Sequence, residues 1–366
     1  MLVQNYILEK CVGKGAYGEV YLGKKKDRPE KYAIKRIGRE IEKTDMMKYL
    51  KNELIVLKNL NHKNIIKFIE IIKTEKHFYI VTEYCNGGEL SEALDNYKLK
   101  FGKPFSEEIV QHLMRQIIDA FKYIHGKHVI HRDIKPANIL LNYENEVDRK
   151  NKNLLKATAK IIDFGFACRI EKTGLKKTVL GSPLYMDPKI FQLLKKKRGE
   201  LGYDIKADIW SLGIMCYELL IGRAAFDSYQ MKELIKKIEE GTYAVPTNLS
   251  KEVISFINAM LQYNSSDRLD SLELSRHPFL TKDIKEFHPI DLKKVVKKID
   301  KNGLNINVKE NTSIWAIFNS QDEEKLNKIN AKEFDDKEGN NNNKIGPILP
   351  NPEEGIPGNT FYSDVK

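Results

Sequence analysis

With 366 residues and 41% hydrophobic side chains, the chain is long enough for one large domain or two medium ones with a real core, which excludes a wholly disordered polypeptide. Lys and Arg number 62 against 51 Asp and Glu, a net of +11; residues 281–366 hold 14 Lys, no Arg and 15 acids, a net of −1, so residues 1–280 carry +12. That excess favours acidic or phosphorylated ligands, but it is too diffuse, and too poor in aromatic–basic platforms, for a nucleic-acid binder. In chain order, Tyr6–Val12 and Glu19–Gly23 read as strands flanking a glycine cluster, and Tyr32–Ile37 follows the turn-like Asp27-Arg28-Pro29. Leu50, Leu54, Ile55 and Leu57 recur at helical steps and predict a helix over Asp45–Leu60. Ile65–Lys73 and Phe78–Glu83 follow as apolar strands. After Asn86-Gly87-Gly88 the pattern turns to long helices: Phe105–His125, Asp208–Leu220, Met231–Glu240 and Lys251–Gln262.

The most apolar stretch, Ile209–Gly222, is too short for a membrane span and contains Glu218, so it reads as a buried core helix. The opening MLVQNYILEK lacks a long apolar run of the secretory kind, and Cys11, Cys85, Cys168 and Cys216 are scattered with no CxxC pair. A reducing, cytoplasmic setting without stable membrane insertion is the expectation. No internal repeat is visible. From Thr281 onward the pattern weakens: residues 281–334 form an extension whose Val295, Val296, Ile299, Ile314, Trp315, Ile317 and Phe318 suit docking on the domain or on a partner. Residues 335–366, with the run Asn340–Asn343 and several prolines, read as a disordered tail. Asp300-Lys301-Asn302-Gly303 hints at a calcium loop, but its glycine comes two positions early and an EF-hand is excluded.

The chemistry starts at Gly13-Lys14-Gly15-Ala16-Tyr17-Gly18-Glu19-Val20. Glycines let backbone N–H groups approach phosphate oxygens without Cβ clashes. Alone, the pattern fits a dinucleotide fingerprint or a plain hairpin equally well. A dinucleotide cluster opens a helix, whereas Glu19-Val20-Tyr21-Leu22 continues as strand. Lys35 then ends the apolar Tyr32-Ala33-Ile34-Lys35; a lone lysine there is an edge cation, but beside the glycine loop it becomes a phosphate contact.

Further on stand His131-Arg132-Asp133-Ile134-Lys135-Pro136-Ala137-Asn138 and Asp163-Phe164-Gly165, and then Asp208-Ile209-Trp210-Ser211-Leu212-Gly213, Arg268 and His277-Pro278-Phe279. In this order, over roughly residues 6–280, the chain resembles a eukaryotic protein kinase of the Ser/Thr type. The resemblance implies a bilobal α+β fold, with a small antiparallel sheet lobe carrying one helix (about 1–84) and a larger, mostly helical lobe (about 85–280). It implies ATP and Mg²⁺ as cofactors and protein substrates as partners. By resemblance, Val12, Gly13, Lys14, Gly15, Ala16, Tyr17 and Gly18 cover the nucleotide, Lys35 contacts its phosphates and Glu53 pairs with Lys35; a plain surface-helix glutamate is the alternative for Glu53. Thr82 is the gatekeeper, the Glu83 carbonyl and Cys85 N–H meet adenine, and Val20, Ala33 and Leu140 sandwich the base. Asp133 takes or orients the hydroxyl proton, Lys135 neutralises the moving phosphoryl, and Asp163 and Asn138 hold metal. Leu57, Phe68, His131 and Phe164 match the stack that couples the lobes.

Thr178, with Thr173 as second choice, lies where many members carry an activating phosphate, added by an upstream kinase or by autophosphorylation in trans; Arg132 is its expected partner. The strings Glu83–Leu90, Asp163–Ala167 and Gly181–Met186 resemble ULK-type kinases, with calcium/calmodulin-dependent-like kinases as competitor. Three departures stand out. Asp187-Pro188-Lys189 replaces the usual Ala-Pro-Glu, so Lys189 is expected to repel Arg268 by ~1 kcal/mol unless Asp187 compensates. The 25 positions from Asn138 to Asp163 are about a dozen more than usual, and the polar excess around Tyr143–Ala157 reads as an extended surface hairpin. Lys195-Lys196-Lys197-Arg198 reads as a solvated loop, with a nuclear-import or acidic-partner patch as the alternative. Glu89 fits one position used to receive a substrate arginine, but Ala137 stands at the other, so strong arginine dependence is not expected. The alternative to an active enzyme is a pseudokinase acting as scaffold or allosteric partner; retention of Lys35, Asp133, Asn138 and Asp163 favours catalysis.

Overall fold

The computed structural model describes residues 1–15, 18–44, 46–169, 181–195, 204–228, 230–245, 249–287, 295–300 and 303–307. Six strands, β1 (Leu2–Val3), β2 (Tyr6–Gly15), β3 (Gly18–Lys25), β4 (Lys31–Gly38), β5 (Phe68–Lys73) and β6 (His77–Glu83), form one antiparallel sheet in the order β1-β2-β3-β4-β6-β5. Alternation along β4 explains its two faces. Tyr32 and Ile34 pack with Val3, Tyr6, Leu8 and Val81 on one side, while Ala33 joins Val12, Val20 and Leu22 on the other. Helix α1 (Met46–Lys58) buries Leu50 against Ile37, Phe78 and Ile80 of the sheet.

The predicted strand Ile65–Lys73 begins only at Phe68. Ile65 instead forms an isolated parallel bridge with Ile161, Ile161 N–H donates to the Asn64 carbonyl (2.9 Å), and the buried Asn64 side chain donates to Gln116 Oε1 and the Ala159 carbonyl, both at 2.9 Å. These residues thus fasten the sheet lobe to the helical one. The connector after β6 makes a second fastening: Asn86 exchanges side-chain hydrogen bonds with the Tyr143 backbone at 2.9 Å, and Gly87 N–H donates to the Leu141 carbonyl at 2.8 Å.

The larger lobe comprises α2 (Leu90–Phe101), α3 (Glu107–Gly126), β7 (Val129–Ile130), β8 (Ile139–Asn142), α4 (Glu146–Lys150), β9 (Thr158–Ile161), β10 (Cys168–Arg169), α5 (Pro188–Lys195), α6 (Lys206–Ile221), α7 (Met231–Glu240), β11 (Thr242–Val245), α8 (Lys251–Met260), α9 (Ser271–Leu274) and α10 (Pro278–Thr281). Ser106 caps α3 by accepting the Ile109 N–H, so the helix starts two residues after the predicted Phe105. Its Val110, Leu113, Ile117 and Phe121 are fully buried, as is most of α6, the helix read from the apolar run Ile209–Gly222. Gly222 ends α6 in the left-handed region (φ 84°), where glycine carries no Cβ penalty.

The excess between β8 and β9 is not the extended hairpin expected from its polarity. Its flanking strands pair, but the excess itself folds into α4, capped by Asn145, and a 3₁₀ turn at Leu154–Lys156. Tyr143 and Leu154 are buried, and the Ala157 carbonyl meets His112 and Gln116 of α3. In the extension, β12 (Val295–Asp300) pairs with β11 and with β13 (Gly303–Asn307). Residues 196–198 of the lysine run, Ile314–Phe318 and the tail 335–366 lie outside the described residues. Among the described residues, no helix is long and apolar enough to cross a membrane.

Candidate active site

The cleft between the lobes is lined by Val20, Ala33, Leu140 and Thr82 at its apolar end and by Lys35, Glu53 and Asp163 at its polar end. Lys35 lies two residues beyond Ala33 on β4 and therefore points to the same face. The surrounding protein pushes the Glu53 carboxyl above its usual range; the Lys35 charge opposes this and the Asp163 charge adds to it. One cation thus faces two carboxylates inside a single pocket. Ile66, Ile80 and Ile162 also line the cleft, and none was singled out from the sequence; Ile162, directly before Asp163, is the one whose position gave a signal.

β2 and β3 carry the glycine loop. Gly15 pairs with Gly18 and Gly13 with Val20, with register irregularities between Leu8 and Lys10 and between Cys11 and Gly13. Val12 and Gly13 are buried and Lys14 is exposed beside Glu19, while Ala16 and Tyr17 at the tip lie outside the described residues. At Gly18 (φ 144°) a Cβ would fall 1.9 Å from the Arg36 carbonyl oxygen, so only glycine fits. Glu83 directs its carboxylate to Lys160 Nζ (2.8 and 3.0 Å) and the Lys67 N–H, and its own N–H donates to the Lys67 carbonyl at 3.0 Å. Cys85 is buried, and burial raises its thiol far above the ordinary range.

The second half of the site is the loop between β7 and β8. Asp133 is 5% exposed. Its Oδ1 accepts from Ser182 N–H (3.0 Å) and Oγ–H (2.8 Å), and its Oδ2 from Asn138 Nδ2 (2.9 Å) and Lys135 Nζ (3.1 Å). Burial pushes the Asp133 carboxyl up, but the Lys135 charge and the hydrogen bonds from Ser182 and Lys135 outweigh it, and the group stays below the usual carboxylate range. Lys135 Nζ also donates to Ser182 Oγ at 2.8 Å. Asn138 Oδ1 is buried and finds no hydrogen-bond partner among the described residues. An orphaned amide oxygen beside carboxylates suits a hard, oxygen-seeking cation such as Mg²⁺. Two non-glycine residues here adopt positive φ, Arg132 (72°) and Asp163 (61°), strain of the kind that collects at functional sites. Asp208 at the start of α6 holds the loop: its carboxylate accepts from the His131 and Arg132 backbone N–H groups, both at 2.9 Å, and lies 3.0 Å from His125 Nε2.

Phe164 is fully buried, with its ring 4.8 Å from that of His131; Leu57 belongs to the same core, and Phe68 packs against it. Helix α1 also grips the chain just beyond. Asn52 donates to the Ala167 carbonyl, and the Tyr49 and Phe166 rings meet edge to face at 5.5 Å. Asn52→Ala is therefore expected to loosen α1 from this segment and lower kcat about 5- to 10-fold, a loss on the order of 1–1.4 kcal/mol in the transition state; steady-state kinetics against a peptide acceptor checks it. Ser182, the residue that closes over Asp133, was quoted in the sequence only as part of a string. Gly181 before it (φ 115°) presses so close to the Arg132 carbonyl that a Cβ would lie 2.4 Å away.

Residues 6–280 match the protein kinase domain family. The chain belongs to the protein kinase family. It is 34% identical over 279 residues to myosin light chain kinase A of Dictyostelium discoideum, covering 75% of this chain and 88% of that protein. It is 33% identical over 284 residues to serine/threonine-protein kinase ATG1c of Arabidopsis thaliana (76% and 36%), and 35% identical over 275 residues to calcium-dependent protein kinase 5 of Plasmodium falciparum (74% and 44%). It thus spans under half the length of the latter two relatives.

Against that family, the expected clash of Lys189 with Arg268 does not occur. Lys189 Nζ donates to Ser265 Oγ instead, and Asp187 pairs with Arg268. Glu89 is 2% exposed and accepts from Ser91 Oγ–H at 3.0 Å, so it is not an open receptor for a substrate arginine. Thr173 and Thr178 of the kinase's activation segment lie outside the described residues.

Proposed function

We propose that the chain is an ATP-dependent protein serine/threonine kinase that transfers the γ-phosphoryl group to Ser or Thr hydroxyls of protein substrates. The observation that carries this reading is the convergence of Lys35, Glu53 and Asp163 in one cleft, with Asp133, Lys135 and Asn138 bonded to one another in the catalytic loop. Such transfer relies on positioning and on charge stabilisation more than on covalent chemistry. Val20, Ala33 and Leu140 clasp the adenine, with the Glu83 and Cys85 backbones and the Thr82 side chain setting its edge. Lys35, oriented by Glu53, steadies the phosphates under the loop from Val12 to Gly18. Asp163 and Asn138 supply oxygens for Mg²⁺, which when bound neutralises phosphate charge. Asp133, ionised and fixed by its donors, receives the acceptor hydroxyl's proton, and Lys135 offsets charge on the moving group.

Phosphorylation at Thr178, by an upstream kinase or in trans, is proposed to order the activation segment through Arg132. The names of the relatives support both an ATG1-like and a calcium-dependent-like placement. A cytoplasmic location is supported by the scattered cysteines, Cys11, Cys85, Cys168 and Cys216, which form no CxxC pair.

Incubation with labelled ATP, Mg²⁺ and casein tests the reading. Incorporation recovered as phosphoserine and phosphothreonine and abolished by EDTA is expected. Nucleotide binding without incorporation would favour the scaffold alternative, and label on tyrosine alone would remove the Ser/Thr assignment.

A further inference from the structure

We propose that Asp187 is the positioning residue that holds the activation segment on the catalytic loop, doing from two residues upstream the work that the family assigns to a glutamate at the place of Lys189. The inference rests on the kinase reading and deepens it for this chain.

Arg268 is buried, and four acceptors meet its guanidinium. Nε donates to the Gln262 carbonyl (2.7 Å), Nη2 to the Tyr263 carbonyl (3.1 Å), and Nη1 to the Lys206 carbonyl (2.8 Å) and the Asp187 carboxylate, with the Trp210 ring 5.1 Å away. Three of these four acceptors are neutral, so the carboxylate supplies the countercharge that a buried cation needs. Asp187 is also fixed by its place before α5, where its Oδ1 accepts the Lys189 N–H at 2.6 Å. The Lys189 ammonium is drawn off to Ser265, which leaves the Arg268 side to Asp187.

Five residues upstream, Ser182 caps Asp133 with two hydrogen bonds. Between these anchors the chain is short and held: a 3₁₀ turn at Pro183–Tyr185, the Tyr185 carbonyl accepting from Ser211 Oγ–H at 2.6 Å, and Met186 buried. Because the segment between them is short and stiff, a shift at its Asp187 end is carried to Ser182, so loss of the Asp187 pin loosens the hold of Ser182 on Asp133. The nucleotide cleft is built from other residues and is spared.

The test compares wild type, Asp187→Asn, Asp187→Ala, the relocated pair Asp187→Ala/Lys189→Glu, and Lys189→Met, measuring kcat with casein alongside nucleotide affinity. Asp187→Asn is expected to lower kcat at least 10-fold while nucleotide affinity stays within about twofold. The relocated pair is expected to recover at least fivefold of the activity lost in Asp187→Ala, and Lys189→Met to stay within threefold of wild type. Asp187→Asn with wild-type kcat, or a relocated pair no better than Asp187→Ala, overturns the proposal. If Asp187→Asn fails to fold, the relocated pair still decides it in the same way. An inactive wild type strikes at the kinase reading itself, a separate result from failure of this one.

Discussion

Asp133→Asn is expected to lower kcat by about 10³-fold, within the usual range for a lost general base, while ATP affinity and the folded state persist. The reason lies in the company that Asp133 keeps. Ser182 N–H and Oγ–H, Asn138 Nδ2 and Lys135 Nζ all donate to it. An amide in its place turns one acceptor into a donor, so one of these partners meets a donor head on, and no oxygen remains basic enough to take a hydroxyl proton. Because Lys135 and Ser182 keep the Asp133 carboxyl below its ordinary range despite burial, its ionised form persists throughout the working range. The wild-type kcat profile between about pH 6 and 9 is therefore expected to show no step from this residue. Single-turnover kinetics on folded Asp133→Asn checks the first result; a rate within tenfold of wild type would remove Asp133 from the proton-accepting role.

Asp208→Ala is expected to have the largest effect on stability, about 3–5 kcal/mol. Asp208 is 1% exposed, and its two oxygens satisfy the His131 and Arg132 amides and face the buried His125 ring. Alanine leaves these donors buried without water, and the strained Arg132 backbone loses its restraint. For a domain of this size the melting temperature is expected to fall on the order of 10 °C. Asp208→Asn keeps one acceptor oxygen and is expected to lose less. Thermal and urea melts of both variants measure this, and a loss below about 1 kcal/mol for the alanine variant would show that the loop is held from elsewhere.

Much of this was legible from residue order because the site's polar groups sit on short local motifs. The apolar run Tyr32–Ile37 announced the strand, and the family resemblance pointed Ala33 and Lys35, two residues apart on it, to the cleft that they line; the glycine at position 18 is demanded by local geometry. What escaped depends on contacts distant in sequence. Ser182 reaches Asp133 across 49 positions, and no local pattern announces it; Asp187 as the partner of Arg268, 81 positions on, was raised only by comparison with the family's Ala-Pro-Glu. Helix α2 was missed because only Leu90 and Leu94 are buried, while Leu99 and Phe101 on the same helix are exposed and blur its stripe. The excess between β8 and β9 was misread because polarity describes its solvent side, whereas Tyr143 and Leu154 decide how it folds.

The paired fastenings, Asn64 with Ile65 and Asn86 with Gly87, bear on how the halves can travel. Held at both places, the sheet lobe swings about the line through them rather than sliding across its mate, and the catalytic floor keeps its alignment from one turnover to the next.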